Sequence, residues 1–259
     1  SGTEPERQPP ARSAVVPTMP RLARLVLPDV ALHVVQRGHN RQACFREDTD
    51  RMVYLVLLRD GIKKSRCVLH AYCLMTNHVH LLLTPPDTGA CGILMRNLGQ
   101  RYVQYFNGRH GHRATLWEGR PYSCLVDSIK YVLGCYRYIE LNPVRAEMVA
   151  SAAAYKWSSY EANAGGTDDP LVAPHAEYLA LGNDPQARRD AYRQLFPATD
   201  DPDFLAEIRD ATNGGYPLVG NDLKSRLSDV SKRRLKRAKP GPHADGDTQG
   251  DERTRDLPF

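Results

Sequence analysis

The spacing of apolar residues divides the chain into short strands and longer helices. Ala31-Leu32-His33-Val34-Val35-Gln36 reads as a strand, and the polar Arg37-Gly38-His39-Asn40-Arg41 after it as a turn. Cys44-Phe45 reads as a resumption of that strand. Asp48 has the character of an N-cap, and a helix is predicted from there to about Ser65. Met52, Val53, Leu55, Val56, Leu57 and Ile62 are compatible with one buried face of it. Residues 67–74 and 78–84 read as two further strands, and the short Met75-Thr76-Asn77 link makes them an antiparallel hairpin. A long helix is predicted over 89–107, with Ile93, Leu94, Leu98, Tyr102, Tyr105 and Phe106 on its apolar side and Arg96, Gln100, Arg101 and Gln104 on its polar side. A basic loop (108–113) and short extended structure (116–126) come next.

Asp127 or Ser128 caps the next helix, which carries Ile129, Tyr131, Val132, Cys135, Tyr136, Tyr138, Ile139 and Leu141. It is expected to stop at Asn142-Pro143, because a residue before proline is pushed out of the α region. Residues 144–149 read as a short helical turn, and Trp157-Ser158-Ser159-Tyr160 as the packed end of the domain. The Gly/Asp-rich stretch 164–170 is the preferred boundary. Beyond it lie three weaker helical patterns, near 185–196, 201–212 and 221–237. The expected organisation is therefore a disordered segment (1–18), a main domain (19–165), a helical region ending in a basic run (166–239) and a disordered tail (240–259). The Ser1-Gly2 beginning reads as a cloning remnant, with Met19 as a start.

Composition narrows this picture only slightly. The 259 residues are 41% hydrophobic and 25% charged, as in soluble globular proteins. No run reaches the roughly 20 apolar residues of a membrane span, and the polar beginning does not read as a secretory signal. A cytoplasmic protein with no membrane partner is expected. Net charge is +5, a weak pointer to a polyanionic partner. The six cysteines include no CxxC pair, so buried reduced thiols are favoured over disulfides or a cysteine zinc site. No GxxxxGK[ST] sequence occurs, and no nucleotide cofactor is expected.

The chemistry concentrates around Asn77-His78-Val79-His80. Residues two apart on a strand share a face, so His78 and His80 project together. Taken alone, they are as compatible with a satisfied structural pair as with the start of a metal site. Tyr138 and Asn142 stand at i, i+4 on one helix face, with Cβ atoms roughly 5–6 Å apart. If that face docks over the two histidines, Asn142 completes a two-imidazole, one-amide set suited to Mg²⁺ or Mn²⁺. A phenol near such a cation is an assisted nucleophile for a phosphodiester. Among thirteen tyrosines, Tyr102, Tyr105, Tyr131 and Tyr136 read as packing residues.

At these positions the chain resembles a known family. His78-Val79-His80 matches the HUH pattern of single-strand DNA nucleases. Residues 135–146, CYRYIELNPVRA, resemble the catalytic-tyrosine segment of REP-associated tyrosine transposases, relatives of insertion-sequence transposases. Residues 116–120 (LWEGR) and 157–160 (WSSY) fit the same family, and the resemblance covers about residues 20–165. It implies an α+β fold: a ferredoxin-like (RRM-like) antiparallel sheet with helices on one face, joined here by a small helical C-terminal region. It implies Tyr138 as nucleophile and His78, His80 and Asn142 as metal ligands. It also implies, as partner, single-stranded DNA with a hairpin foot of the repetitive extragenic palindrome type. Phosphate or base contacts are expected among Arg37, Asn40, Arg41, Arg96, Arg101, Arg109, His112, Arg113, Arg120, Lys232, Arg233 and Arg234. The other histidines, His33 included, read as core or surface residues. A monomer is preferred over a dimer, and a nucleoid location accords with the DNA partner. Two rival functions stay open: a non-catalytic binder of structured nucleic acid, and a hydrolytic metallonuclease.

Overall fold

Four apolar runs of five to seven residues, alternating with two long helices, pair into one antiparallel sheet. The computed structural model describes residues 24–196, 201–230 and Leu235. Its elements in order are β1 (Ala31–Arg37), α1 (Asp48–Ser65), β2 (Val68–Leu74), β3 (His78–Thr84), α2 (Ala90–His110), β4 (Tyr122–Val126), α3 (Ile129–Glu140), α4 (Asn142–Arg145), α5 (Ala176–Leu179), α6 (Pro185–Arg193), α7 (Pro202–Gly214) and α8 (Asn221–Val230). The first six form βαββαβ with strand order β2-β3-β1-β4, a ferredoxin-like α+β fold. The segments expected to be disordered, 1–18 and 240–259, and the basic positions Lys232, Arg233 and Arg234 lie outside the described residues.

The pleat assigns each strand residue to one of two cores. Leu32, Val34, Leu74, Val79, Leu81 and Leu83 face α1 and α2. Ala31, Ala71, Cys73, Leu82, Cys124 and Val126 face α3 and the C-terminal helices. Helices therefore cover both faces, not one. Leu32, Leu81, Leu82 and Leu83 are fully buried, and each such side chain contributes roughly 1.5–3 kcal/mol. Both sheet edges are closed. Residues 157–159 run along β2 (Leu74 N–H donates to Trp157 O at 2.9 Å, Ser159 N–H to Tyr72 O at 3.0 Å), and Leu218 runs along β4 (2.8 and 2.9 Å). Unpaired backbone groups there would otherwise be a template for another chain.

Several local expectations are corrected. Cys44-Phe45 does not resume β1: consecutive left-handed residues Asn40 and Arg41 (φ 49° and 57°) turn the chain off the sheet. Both Cys44 and Phe45 instead donate their N–H groups to Thr76 O at 2.9 and 3.2 Å. Helix α1 buries Tyr54 and Leu58, while Met52 and Val56 are about half exposed, at 51% and 49%. Phe45 sets that rotation, its ring 5.4 Å from Tyr54 and 5.5 Å from Tyr102. Helix α3 ends at Glu140, and Asn142-Pro143 opens α4, where a proline's missing N–H costs nothing. The one-turn helix α5 has no counterpart among the predicted elements. All six cysteines are buried and free.

Glu140 ties α3 to the segments that pack on it from later in the chain. Its carboxylate is fully buried and accepts from Ser159 Oγ (2.6 Å), Asn163 Nδ2 (2.7 Å) and Tyr192 OH (2.6 Å). Burial outweighs these donors and raises its pKa to about 7. A carboxyl raised in the fold favours the folded state below its unfolded pKa and loses that advantage as pH rises through the folded value. Stability is thus expected to fall between about pH 4.5 and 7.5, by on the order of 3 kcal/mol for a shift of this size. Glu140→Gln, neutral and nearly isosteric, is expected to flatten that slope. Melting temperatures of both proteins at pH 5 and pH 8 check this; parallel losses would refute it.

Candidate metal and nucleophile site

The register of the sheet gathers the site. Val35 lies opposite His80, and Arg37 opposite His78, so these four residues share the face that α3 covers. The glycine before the 39–41 turn is required by close approach: a Cβ on Gly38 would lie 2.2 Å from Gln42 O and 3.3 Å from Asn77 O. Its N–H donates to Asn77 O at 2.8 Å, which fixes the turn beside His78.

His78, His80, Tyr138 and Asn142 are all buried, the last completely. The rings of His78 and His80 are 4.8 Å apart and nearly perpendicular, and those of His80 and Tyr138 are 5.8 Å apart. A third histidine joins them. His33 stacks on His80 at 5.2 Å, its Nε2 is 3.0 Å from His80 Nδ1, and its edge meets Tyr138 at 5.6 Å. On its other side His33 Nδ1 is 2.8 Å from Thr212 Oγ1 on α7.

Hydrogen bonding leaves two buried acceptors unused, one on His78 and one on Asn142. His78 Nδ1 lies 2.6 Å from Asn77 Oδ1, which only accepts, so the imidazole donates there and carries its lone pair on Nε2. That Nε2 is buried with no hydrogen-bond partner. Asn142 Nδ2 donates to Tyr138 O at 3.1 Å, and its Oδ1 is likewise buried and unpartnered. Leaving such acceptors unpaired costs roughly 1–3 kcal/mol each. Burial, reinforced by the Arg37 charge, depresses His78 to about 3, and burial with neighbouring positive groups takes His80 well below the usual range. Neutral imidazoles and an amide oxygen make a mixed nitrogen and oxygen donor set that a divalent cation accepts.

Cationic groups surround the phenol. The Arg145 guanidinium lies 4.7 Å over the Tyr138 ring and donates to Tyr138 O. Burial raises the Tyr138 pKa, while Arg145, Arg209 and Arg37 pull it back. A cleft of about 680 Å³ opens beside His78, lined by Arg41, Asn77, His78, Arg145 and Met148 among others.

Of the other residues singled out in the sequence, Arg37 and Arg41 stand at the site; Asn40 is exposed in the 39–41 turn, and His112 lies against the end of α2, 2.9 Å from Asn107 Oδ1 and 3.3 Å from Gln42 Oε1. Arg113 and Arg120 are exposed in the 111–121 segment. Arg96, Arg101 and Arg109 project from α2, in the helical layer behind the sheet; Arg101 pairs with Asp60 at 3.4 Å and Arg109 with Glu47 at 2.8 Å. His33, Thr212 and Arg209 escaped the sequence reading. Only the parity of His33 with Ala31 and Val35, inside an apolar strand, hinted at the first. Tyr136 turns away from the site, its hydroxyl accepting from His175 N–H at 3.1 Å.

Glu47, Asp50 and His110 also bring potential ligand atoms within 4.8 Å of one another. Asp50 there already accepts from the Arg46 and Glu47 N–H groups, Tyr105 OH and His110 Nε2, and Glu47 is held by Arg109. That cluster caps α1 as an ion network.

Residues 27–142 match the protein family described as IS200-like transposases. His33, His78, His80, Tyr138 and Asn142 all fall inside the matched stretch. A solved structure of a REP-associated tyrosine transposase bound to a REP hairpin is 15% identical, with a TM-score of 0.47, over 61% of this chain and 93% of that one. A crystal structure assigned as a transposase from Deinococcus radiodurans R1 is 17% identical, with a TM-score of 0.34, over 49% of this chain and 96% of that one. No curated protein matches the chain.

Proposed function

We propose that the chain is a metal-dependent endonuclease and strand transferase for single-stranded DNA, a reading supported by the match of residues 27–142 to the IS200-like transposase family. Its nucleophile is Tyr138. The Tyr138 oxygen attacks a backbone phosphorus, the bond to the 3′ oxygen breaks, the phenol gives up its proton and the 3′ oxygen gains one. A 5′-phosphotyrosine diester remains, and a 3′-hydroxyl can later reverse the step without ATP.

One observation carries the reading. Tyr138 stands against His80, whose ring is 4.8 Å from that of His78, while the buried lone pairs of His78 Nε2 and Asn142 Oδ1 have no partner in the protein. His78, His80 and Asn142 would hold Mg²⁺ or Mn²⁺, which when bound polarises a phosphate and offsets the charge that builds on it. Arg145, Arg209 and Arg37 favour the phenolate electrostatically. Arg37 and Arg41 border the approach for a phosphate backbone, and such contacts make affinity fall with salt.

The substrate we propose is a hairpin with an unpaired foot, of the repetitive extragenic palindrome type, handled in the cytoplasm at the nucleoid. Among the described residues no helix is long and apolar enough to cross a membrane. Incubating such oligonucleotides with Mn²⁺ or Mg²⁺ is expected to give a protein–DNA band on denaturing gels, with the nucleotide on the Tyr138 peptide in mass spectrometry. Cleavage without a covalent band would point to hydrolysis by water, and binding without cleavage to a non-catalytic binder.

The tyrosine and both histidines come together within one chain. A monomer can therefore assemble the site, and light scattering during gel filtration is expected to give a mass near 29.0 kDa. A stable dimer would refute the monomeric reading.

A further inference from the structure

We propose that α7 completes this site: Thr212 and His33 form a relay that determines which nitrogen of His80 carries its proton. The inference rests on the metal-site reading above and deepens it. Helix α7 lies outside the stretch matched to the transposase family.

The relay is read from its acceptor-only end. Thr212 Oγ1 lies 2.8 Å from Ile208 O, one turn back on α7, and a carbonyl cannot donate, so the hydroxyl proton points there. Thr212 Oγ1 therefore accepts from His33 Nδ1–H at 2.8 Å. A neutral His33 with its proton on Nδ1 has a lone pair on Nε2. That lone pair accepts from His80 Nδ1–H at 3.0 Å. His80 is left with its lone pair on Nε2, the same nitrogen that is free on His78. The remaining polar neighbour, Cys124 Sγ, is 3.4 Å from Thr212 Oγ1 and can donate to it. Reversing the chain would place a proton on His80 Nε2 and remove it as a ligand.

The seating of α7 is specific. Phe204 packs on Gly134 of α3 so closely that a Cβ there would lie 2.4 Å from its ring. Leu218, just after α7, pairs with the backbone of β4. Groups that bond the second nitrogen of a ligating histidine commonly set metal affinity by 10–100-fold. Thr212 and His33 are thus positioning residues, acting through His80.

The test uses the full chain and Mn²⁺ alone, with affinity followed by electron paramagnetic resonance. Thr212→Val keeps the side-chain shape but removes the hydroxyl; it is expected to weaken Mn²⁺ binding roughly 10-fold or more, and Thr212→Ser to restore it. Affinity unchanged in Thr212→Val, while His78→Ala loses it, would overturn the relay alone. Wild-type affinity indifferent to His78→Ala would overturn the metal site and the relay together. A measurement without variants covers the case of a misfolded valine protein. In metal-free wild type, histidine ¹⁵N spectra are expected to show His33 and His80 both protonated on Nδ1; His80 protonated on Nε2 would overturn the relay.

Discussion

Tyr138→Phe is expected to abolish the covalent protein–DNA band and to lower strand cleavage by about 10³-fold or more, as removal of a nucleophile does. The substitution takes away one oxygen and leaves the packing intact. The ring keeps its edge contacts with His33 and His80, and the Arg145 guanidinium keeps its place over the face. The backbone carbonyl that accepts from Asn142 and Arg145 is untouched. Hairpin binding and melting temperature should therefore change little, which separates lost chemistry from lost structure. Cleavage that persists at the wild-type rate would mean that water, not the phenol, attacks phosphorus.

His78→Ala is expected to cost at least about 100-fold in Mn²⁺ affinity and to bring cleavage to background, since it removes one of the three ligands we propose. The competing account, a histidine pair retained only for packing, makes the opposite forecast: altered stability with unaltered metal binding. The hydrogen bonds favour the first. Ring atom Nε2 of His78 bonds nothing in the fold, so the one hydrogen bond that truncation forfeits is that from Nδ1–H to Asn77 Oδ1, alongside the packing of the ring on His80. Asn142→Asp makes a complementary check. It keeps an oxygen where Oδ1 stands and adds a charge that a divalent cation favours, so metal binding should survive it, whereas Asn142→Ala should lose it. Titration calorimetry on the DNA-free chain reads all three. Wild-type Mn²⁺ affinity in His78→Ala would remove the metal from the account.

Features decided within a few residues are legible in the sequence alone. The alternation in His78-Val79-His80 puts both imidazoles on one face whatever the strand pairs with. The i, i+4 spacing of Tyr138 and Asn142 gives them a common helix side. The helix over 48–65, the 75–77 hairpin link and the alternation of strands with long helices rest on equally local physics, whereas the ferredoxin-like arrangement of the sheet was implied by the resemblance of the histidine and tyrosine segments to a known family. The apolar pattern of α1 misled, because Met52 and Val56 satisfy a helical period on a side that Phe45 and Tyr54 leave facing solvent. The arginines of α2 were equally ambiguous. A basic helix face looks the same in sequence whether it borders the site or, like Arg101, pairs with Asp60 behind the sheet.

By itself, then, the sequence determined most of the strands and helices and the shared faces of His78 with His80 and of Tyr138 with Asn142, because backbone periodicity is a local property. Only the tertiary structure decided what those sides meet. Pairing of β1 with β3 brings His33 beside His80 across 47 positions, and docking of α7 brings Thr212 to His33 across 179. No pattern along the chain encodes such a meeting, since it depends on register and packing summed over both cores. Thr212 reads in sequence as one more threonine of an amphipathic helix; burial against the sheet is what turns its hydroxyl toward His33.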